Sequence, residues 1–519
     1  MQKLVATSLA ALLVAGTTPG YAYPGGPYGE TATPIKHIVV IFQENISFDH
    51  YFATYPWAEN PGGEPQFVAR PNTPTVNGLS GSLLWANPNS INTVNGPGAT
   101  NPYRLDRSQA ATNDQDHDYT PEQQAFDHGL MDAFPFATGT AGPPPPGSGI
   151  TATNGLVMGF YDGNTVHGLW DLAQHYVLND NSYGTNFGPS TVGAINLVSG
   201  QTNGVTTDVN PGGATIPDGN GGTTLIGDAD PVGDVCSTTT GETIQLSGKN
   251  IGDLLNERGI SWGFFEGGFN LSLKNANGTT GCKRSTTSAI TGVKKADYIP
   301  HHQPFQYYVS TANPTHARPT SVNAIGYSDR ANHQYDIDDF WWAYGNGHIP
   351  AVSFLKAPGF QDGHAGYSDP IDEENFILYV IQKLKESPEW KSTAVIIAYD
   401  DSDGWYDHQM GPIVNQSTTS ADMLTGTGAC GNGDFALPGV NPSTLHAQGR
   451  CGYGPRLPLL VVSPYARKNF VDHTLTDQSS IIQFIEDNWL GGERIGQGSF
   501  DSIAGTLDNA FDFSHPLDF

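Results

Sequence analysis

The chain is 519 residues long, with 63 glycines, 37 prolines and a formal charge of −28 at pH 7. That length holds two or three average domains, or one large α/β domain with long decorated loops. The negative charge argues against nucleic acid and anionic membrane surfaces as partners. No segment beyond the N-terminal region reaches the roughly 18 consecutive apolar residues of a membrane span, so no stable insertion is expected.

The first residues, MQKLVATSLAALLVAGTTPGYAYPGG, read as a secretory signal. Lys3 supplies the charge, residues 4–15 the apolar core and Gly20-Tyr21-Ala22 a small-residue cleavage site. Residues 1–22 are therefore expected to be removed, leaving 23–519 as the mature, secreted or periplasmic chain. Export makes the four cysteines candidates for disulfides. Of the three pairings, Cys236 with Cys282 and Cys430 with Cys451 is preferred, because each pair closes a local loop rich in Gly, Asn and Thr.

Ile38, Val39, Val40, Ile41 and Phe42 form a continuous β-branched and aromatic run, which suits a central parallel strand covered on both faces. Gln43-Glu44-Asn45 follow at once. In an open α/β sheet the carboxyl ends of the strands border the ligand crevice, so Glu44 and Asn45 are expected at the mouth of a site. The tract near 57–115, dominated by Pro, Gly, Asn and Thr, reads as a surface excursion. Asp116-His117-Asp118 ends it, and Thr120 with Pro121 predicts the cap and first residue of a helix. An insertion near 137–155 contains AGPPPPGSG, a linker or loop tip. Leu169, Leu172, Ala173 and Tyr176 recur at helical spacing and predict a helix over 165–176, leading through Val177-Leu178 into a strand.

Residues 182–188 have loop chemistry, and Pro189 or Ser190 opens a helix whose apolar face begins with Ile195, Leu197 and Val198. After a Gly, Thr and Asp-rich insertion near 204–245 come a short helix at 251–255 and a strand at 260–265. An aromatic helix end at 340–344 precedes a strand at 351–355 and the loop Gln361-Asp362-Gly363-His364. A helix at 376–384 then delivers the chain to AVIIAYDD at 394–401, an apolar run that ends in Asp400 and Asp401, with Asp403 just beyond. An insertion near 415–453, a buried strand at 457–462 and a closing helix at 477–489 complete the chain. The alternation predicts an α/β fold, a mostly parallel central sheet with helices on both faces and long Gly/Pro-rich insertions.

If the strands ending at Glu44 and Asp400 lie close together, three carboxylates and an amide converge into an oxygen-rich cage for a divalent cation. Adjacent aspartates can also simply cap a turn. Several carboxylates, however, do not share a cleft ionised without a cation. One ligand set implies one metal; its oxygens admit Ca, Mg, Mn or Fe, with Zn less favoured. Ser190 at a helix start has backbone donors and the positive dipole end beside it, although capping is the ordinary use of serine there. The aspartates flanking His117 favour its imidazolium, and His364 lies in a Gly-rich loop after a strand, a usual location of site residues. His128, His175, His333, His408 and His473 read as structural or surface histidines, and Asp49 and Asp403 as supporting or capping groups.

Seven segments in order carry a resemblance: VVIFQENISFDHYF, DHDYTPEQQAFDHGLMDAF, the tract from His167 through GPSTVGAINLVSG, HHQPFQYY, QDGHAGYSD, AYDDSDGWYDH and PRLPLLVVSPYARKNFVDHT. Together they cover most of the mature chain outside the insertions. They resemble the phosphoesterase family that contains bacterial acid phosphatase A and the non-specific phospholipases C. The resemblance implies an alkaline-phosphatase-like core, with Glu44, Asn45, Ser190, Asp400 and Asp401 at the metal-binding positions and Ser190 as the nucleophile. It also implies His117, His302 and His364, together with Asp401, around the phosphate. His302 is preferred to His301 because it immediately precedes Gln303-Pro304-Phe305, where the family has its single histidine. At Asp477-Gln478-Ser479 the chain departs from the phospholipase members, which often carry a histidine there, and no role is carried over.

These readings lead to the expectation of a secreted acid phosphatase that cleaves phosphate monoesters through a metal-assisted phosphoserine. Charged His117, His302 and His364 would bind phosphoryl oxygens, so the working pH would be acid. The first alternative is a phospholipase C acting on phosphatidylcholine-type diesters, with Phe264, Phe265, Phe269, Trp341 and Trp342 as candidates for an acyl-accepting wall. The second, from another class, is an exported metal- and phosphate-binding protein without turnover. A sulfatase is disfavoured, because Ser190-Thr191-Val192-Gly193-Ala194 lacks the Pro and Arg of that nucleophile motif. The expected ligands are small phosphate esters or a phospholipid headgroup; oligomeric state is not legible.

Overall fold

Strand β1 (His37–Gln43) is buried at every position after the first, as an apolar run with no polar face requires. The computed structural model to which it belongs describes residues 30–139, 153–426, 429–430 and 447–517. The proposed signal, the AGPPPPGSG tip and residues 431–446 lie outside the described residues. One eight-stranded sheet forms the centre. In chain order its strands are β1, β2 (Val177–Asn179), β3 (Trp262–Glu266), β4 (Gln334–Asp336), β5 (Val352–Lys356), β6 (Thr393–Tyr399), β7 (Leu459–Val462) and β8 (Phe470–Asp472). The spatial order is β4-β3-β5-β1-β6-β7-β2-β8.

β1 pairs in parallel with β5 on one edge and β6 on the other, in a register that sets Gln43 opposite Tyr399. Only β7 runs against its neighbours β6 and β2. The chain leaves β6 at the carboxyl end of the sheet, and among the described residues no helix intervenes before β7, which runs back down. The fold is the expected α/β class with a mostly parallel sheet.

The helices named below are α1 (Phe48–Phe52), α2 (Tyr119–Phe126), α3 (His167–His175), α4 (Ser190–Ser199), α5 (Ile251–Arg258), α6 (Ile337–Gly345), α7 (Pro370–Glu386) and α8 (Ser479–Trp489). α4 packs with α5 and α8, and α3 packs with α7. α2 starts one residue before the predicted cap, with Asp118 as N-cap. The Thr120 hydroxyl is taken by the carbonyl of Ala421 at 2.8 Å, and Pro121 falls within the first turn, where its missing N–H breaks no intrahelical bond. α7 begins earlier than predicted, because the Asp369 carboxylate caps the N–H groups of Ile371 and Asp372 and Pro370 occupies the first turn.

The 204–245 insertion forms part of a three-stranded sheet and a β-hairpin. Cys236 is bonded to Cys282 and Cys430 to Cys451. Phe264, Phe265 and Phe269 are core residues, and Trp341 on α6 packs against that core. These aromatics do not form the exposed wall considered from sequence; Trp342, at 44% exposure, is the one that reaches solvent. Among the described residues no helix is long and apolar enough to cross a membrane.

Arg456, just ahead of β7, is wholly buried and ties together the turns that follow β1 and β6. Its Nε donates to both oxygens of Asp407 at 3.1 Å and its Nη2 to Asp49 at 3.0 Å. Nη1 donates to the carbonyls of Asn77 and Asp180, and the guanidinium lies over the Phe48 ring. His408 completes the group through Asp49 at 2.6 Å, which gives this histidine and Asp49 the supporting roles expected of them. Arg456→Met leaves the buried Asp407 without its main counter-charge and takes from Asp49 one of its two, the other being His408. The expected cost is about 3–5 kcal/mol in a urea unfolding titration, with most of it recovered when Asp49→Asn and Asp407→Asn are added. A loss well under that range for the single variant would contradict this account.

Candidate active site

The β1–β6 register determines what the two turns present. Beyond the last paired residues, Glu44 and Asn45 leave β1 beside Asp400 and Asp401 leaving β6. The Asp400 N–H donates to the Gln43 carbonyl at 3.2 Å and the Ile46 N–H to the Asp401 carbonyl at 2.9 Å. The Asp400 carboxylate accepts the N–H of Asn45 at 2.9 Å and of Asp401 at 2.7 Å. Asn45 has φ +64°, a left-handed conformation that asparagine tolerates better than most residues.

Helix α4 meets this junction end-on, and all ten of its residues are buried. At Gly193 an added Cβ would stand 2.1 Å from the Asp400 carbonyl oxygen, so only glycine lets the helix come so near. Ser190, the first helical residue, has its Oγ 3.0 Å from Glu44 Oε2, 3.0 Å from Asp401 Oδ2 and 3.4 Å from Asn45 Oδ1. Four of the five residues assigned to a metal are thus directly linked through the hydroxyl. The fifth, Asp400, joins them through Asn45.

The histidines divide. His117 Nε2 lies 3.3 Å from Asn45 Nδ2 and 3.9 Å from Asp401 Oδ2, and its Nδ1 is 2.8 Å from the Gln115 carbonyl and 3.5 Å from Asp403 Oδ1. Burial opposes its charge, but Asp401, Asp403 and Asp114 outweigh that and hold the imidazole well above its ordinary range. His302 Nδ1 is 3.4 Å from Glu44 Oε1 and 3.9 Å from Asp362. Burial, reinforced by Lys356, keeps it well below that range. His364 lies at the edge, its ring 6.1 Å from that of His117 and stacked on Tyr367, and burial lowers its pKa to about 4. The expectation of three charged imidazoles therefore holds only for His117; the other two are too dry to carry charge easily.

Lys356 and Asp362 were not singled out in the sequence. Lys356 ends the buried strand β5 and is 1% exposed; its ammonium contacts Glu44 Oε1 and lies 3.9 Å from Asp400 Oδ2. The only available signal was a lysine closing the apolar run AVSFLK, since a buried lysine needs a carboxylate partner. The Asp362 carboxylate is wholly buried and accepts the Tyr367 hydroxyl at 3.0 Å. Asp403, read as a supporting group, reaches Asn45 Nδ2 at 3.3 Å. Asp228 accepts the N–H and hydroxyl of Thr191 at 3.0 and 2.8 Å. His301, the neighbour set aside in favour of His302, pairs with Asp230 at 3.3 Å. An open cavity of about 480 Å³ lined by Asp118, Tyr119, Asp228 and Glu242 adjoins these groups.

Burial and mutual repulsion raise the pKa of Glu44 to about 8, Asp400 to about 6 and Asp401 to about 7; burial and Glu44 raise Asp362 to about 8. The ammonium groups of Lys356 and of the half-buried Lys295 and the His117 imidazolium face this set, to which Asp114, Asp228 and Asp403 add further carboxyls. Asp400 Oδ2 is buried without a hydrogen-bond partner. An orphaned carboxylate oxygen among Glu44, Asn45, Ser190 and Asp401 fits a hard cation bound by oxygen ligands. Ligand atoms of Asp114, His117 and His364 also lie within 4.8 Å of one another, a second, mixed nitrogen and oxygen group able to hold an ion.

A model of the phosphoesterase family matches residues 35–490. The chain is 22% identical over 492 residues to the non-hemolytic phospholipase C of Pseudomonas aeruginosa, a match that covers 93% of this chain and 58% of that protein. It is 24% identical over 521 residues to phospholipase C B of Mycobacterium tuberculosis, covering 98% and 84%. Among solved structures, a protein in the alkaline phosphatase superfamily from Vibrio parahaemolyticus is 12% identical over 63% of this chain and 62% of that one, with a TM-score of 0.29. The lipoteichoic acid synthase LtaP of Listeria monocytogenes is 13% identical over 66% and 71%, with a TM-score of 0.29.

The raised carboxyls fix the sign of a pH effect. Between their ordinary values and the raised ones these carboxyls hold protons that the unfolded chain has lost, so their contribution to stability falls as pH climbs from about 4 to about 8. His302 and His364, held neutral, act in the opposite direction below about 6.5. His117, raised above its ordinary value, loses its contribution in the same direction as the carboxyls at the upper end of that window. Chelator-treated protein is therefore expected to melt several degrees lower at pH 8 than at pH 5, and Mn²⁺, Ca²⁺ or Mg²⁺ to recover more at pH 8 than at pH 5. Scanning calorimetry showing a flat profile, and no metal effect at either pH, would contradict this.

Proposed function

The chain belongs to the phosphoesterase family, and from that premise we propose that it is an exported phosphoric ester hydrolase of the phospholipase C type, cleaving phosphatidylcholine-like diesters through Ser190. The observation that carries this reading is the Ser190 hydroxyl 3.0 Å from two buried carboxylates, Glu44 and Asp401, in a chain aligned over 93% and 98% of its length with phospholipases C. Those relatives favour the diesterase over the acid phosphatase expected first. The formal charge of −28 favours a zwitterionic headgroup over an anionic one. The chain spans 58% of the Pseudomonas relative, so substrate and partners belong to the proposal.

Glu44, Asn45, Ser190, Asp400 and Asp401 would hold one divalent ion, Ca, Mg, Mn or Fe, with Zn less favoured. When bound, it supplies Lewis acidity that lowers the pKa of the hydroxyl and neutralises phosphoryl charge. Ser190 Oγ attacks phosphorus, and its proton passes to one of the carboxylates beside it. The bond from phosphorus to the diacylglycerol oxygen breaks, and His117, the imidazole held in its charged form, is the group able to give that oxygen a proton. His302 and His364 donate hydrogen bonds to the remaining oxygens as neutral imidazoles. Water then releases the headgroup phosphate from Ser190. Retention of configuration at phosphorus and transfer to added alcohols follow from two successive displacements.

The deciding experiment compares phosphatidylcholine vesicles with p-nitrophenyl phosphate across pH, with Ser190→Ala as control. Diacylglycerol release is expected to exceed monoester hydrolysis and to disappear in the variant. Preference for the monoester would restore the acid phosphatase. Absence of turnover on every ester, with metal bound, would favour the non-catalytic binding protein.

A further inference from the structure

Glu122 lies in α2, within the DHDYTPEQQAF stretch, and is 1% exposed. None of the chemistry above uses it. Its Oε2 accepts the N–H of Gly188 at 3.0 Å, two residues before Ser190. Its Oε1 accepts the Ser402 hydroxyl at 2.7 Å, one residue after Asp401, and Ser402 Oγ in turn accepts the Gly404 N–H at 3.0 Å.

The two ends of this bridge are turns that need an outside anchor. Gly188 has φ +119°, a conformation that L side chains rarely adopt, so no side chain of its own steadies the chain there. The residue that follows, Pro189, is the N-cap of α4 and supplies no side-chain hydrogen bond. On the other side, Asp403 has φ +52° and Gly404 φ +67°, so the turn carrying Asp401 also leaves its strand through left-handed backbone. A single carboxyl group from a third element holds both. We propose that Glu122 is a positioning residue that fixes the turn before Ser190 against the turn after Asp401, and so sets the distance from the nucleophile to its carboxylates. The inference rests on the Ser190 reading above.

The arrangement separates hydrogen bonding from charge. Glu122→Gln keeps the bridge, with its carbonyl accepting from Gly188 and its amide donating to Ser402 Oγ; Glu122→Leu removes both bonds at similar bulk; Ser402→Ala removes one. With p-nitrophenyl phosphorylcholine and p-nitrophenyl phosphate, Glu122→Leu is expected to lower kcat about 100-fold, the scale on which misplacing reacting groups acts. KM and metal content per chain should stay as in the wild type, Glu122→Gln should remain close to wild type, and Ser402→Ala should fall between. Wild-type kcat in folded Glu122→Leu would overturn the proposal, as would a loss matched by loss of metal or a Glu122→Gln variant as slow as the leucine. If the leucine variant does not fold, Ser402→Ala and Glu122→Gln decide: wild-type kcat in the alanine variant overturns the proposal, and a partial loss beside an active glutamine variant supports it. Residual turnover in Ser190→Ala would remove the nucleophile reading and this inference together. An inactive Ser190→Ala beside a fully active Glu122→Leu would remove the inference alone.

Discussion

The side-by-side pairing of β1 with β6 is the constraint on which the molecule depends. Seven residue pairs, from His37 with Thr393 to Gln43 with Tyr399, join segments more than 350 positions apart in sequence. Because both strands end at the same level, the polar residues that follow them emerge together. Shifting one strand by a single residue would exchange its two faces and separate Glu44 from Asp400. Buried apolar side chains on both faces specify the register, so the hydrophobic core and the polar cluster are set by one alignment.

That cluster stores electrostatic cost. Four carboxyls from three turns gather where water is scarce, and the chain answers with two lysines, Lys356 and Lys295, one charged histidine and an oxygen-rich group able to take a cation. At Arg456 a guanidinium supplies the counter-charge: two buried aspartates and a histidine surround it. The two groups sit on the same pair of turns. One is closed and fully hydrogen-bonded, the other keeps a carboxylate oxygen without a hydrogen bond and the Ser190 hydroxyl between two carboxylates.

Much of this was legible because it follows from local pattern. Continuous apolar runs marked the central strands, the polar residues at their ends marked the site, and a proline and a serine after a glycine marked the start of α4. What escaped was non-local. Nothing in AVSFLK says which carboxylates its lysine will meet, and Glu122 looks like any first-turn glutamate until Gly188 and Ser402 close on it. The protonation of His302 and His364 depends on burial and on Lys356, neither of which a motif reports. The reversed direction of β7 lies beyond a long insertion that carries no periodic signal, and Thr120 lost its expected capping role to a distant carbonyl.

At Gly193, helix α4 touches the β6 turn through main chain alone. The spacing between hydroxyl and acid pair is therefore set by the close approach of two backbones, with the buried Glu122 carboxyl bridging the turns on either side. Outer segments such as 57–115 and 204–245 can change only where they spare the residues, Asn77 and Asp228 among them, that reach in to Arg456 and Thr191. In such a molecule, a lineage acquires taste for a differently shaped ester by remodelling its periphery, while the reacting centre passes on unaltered.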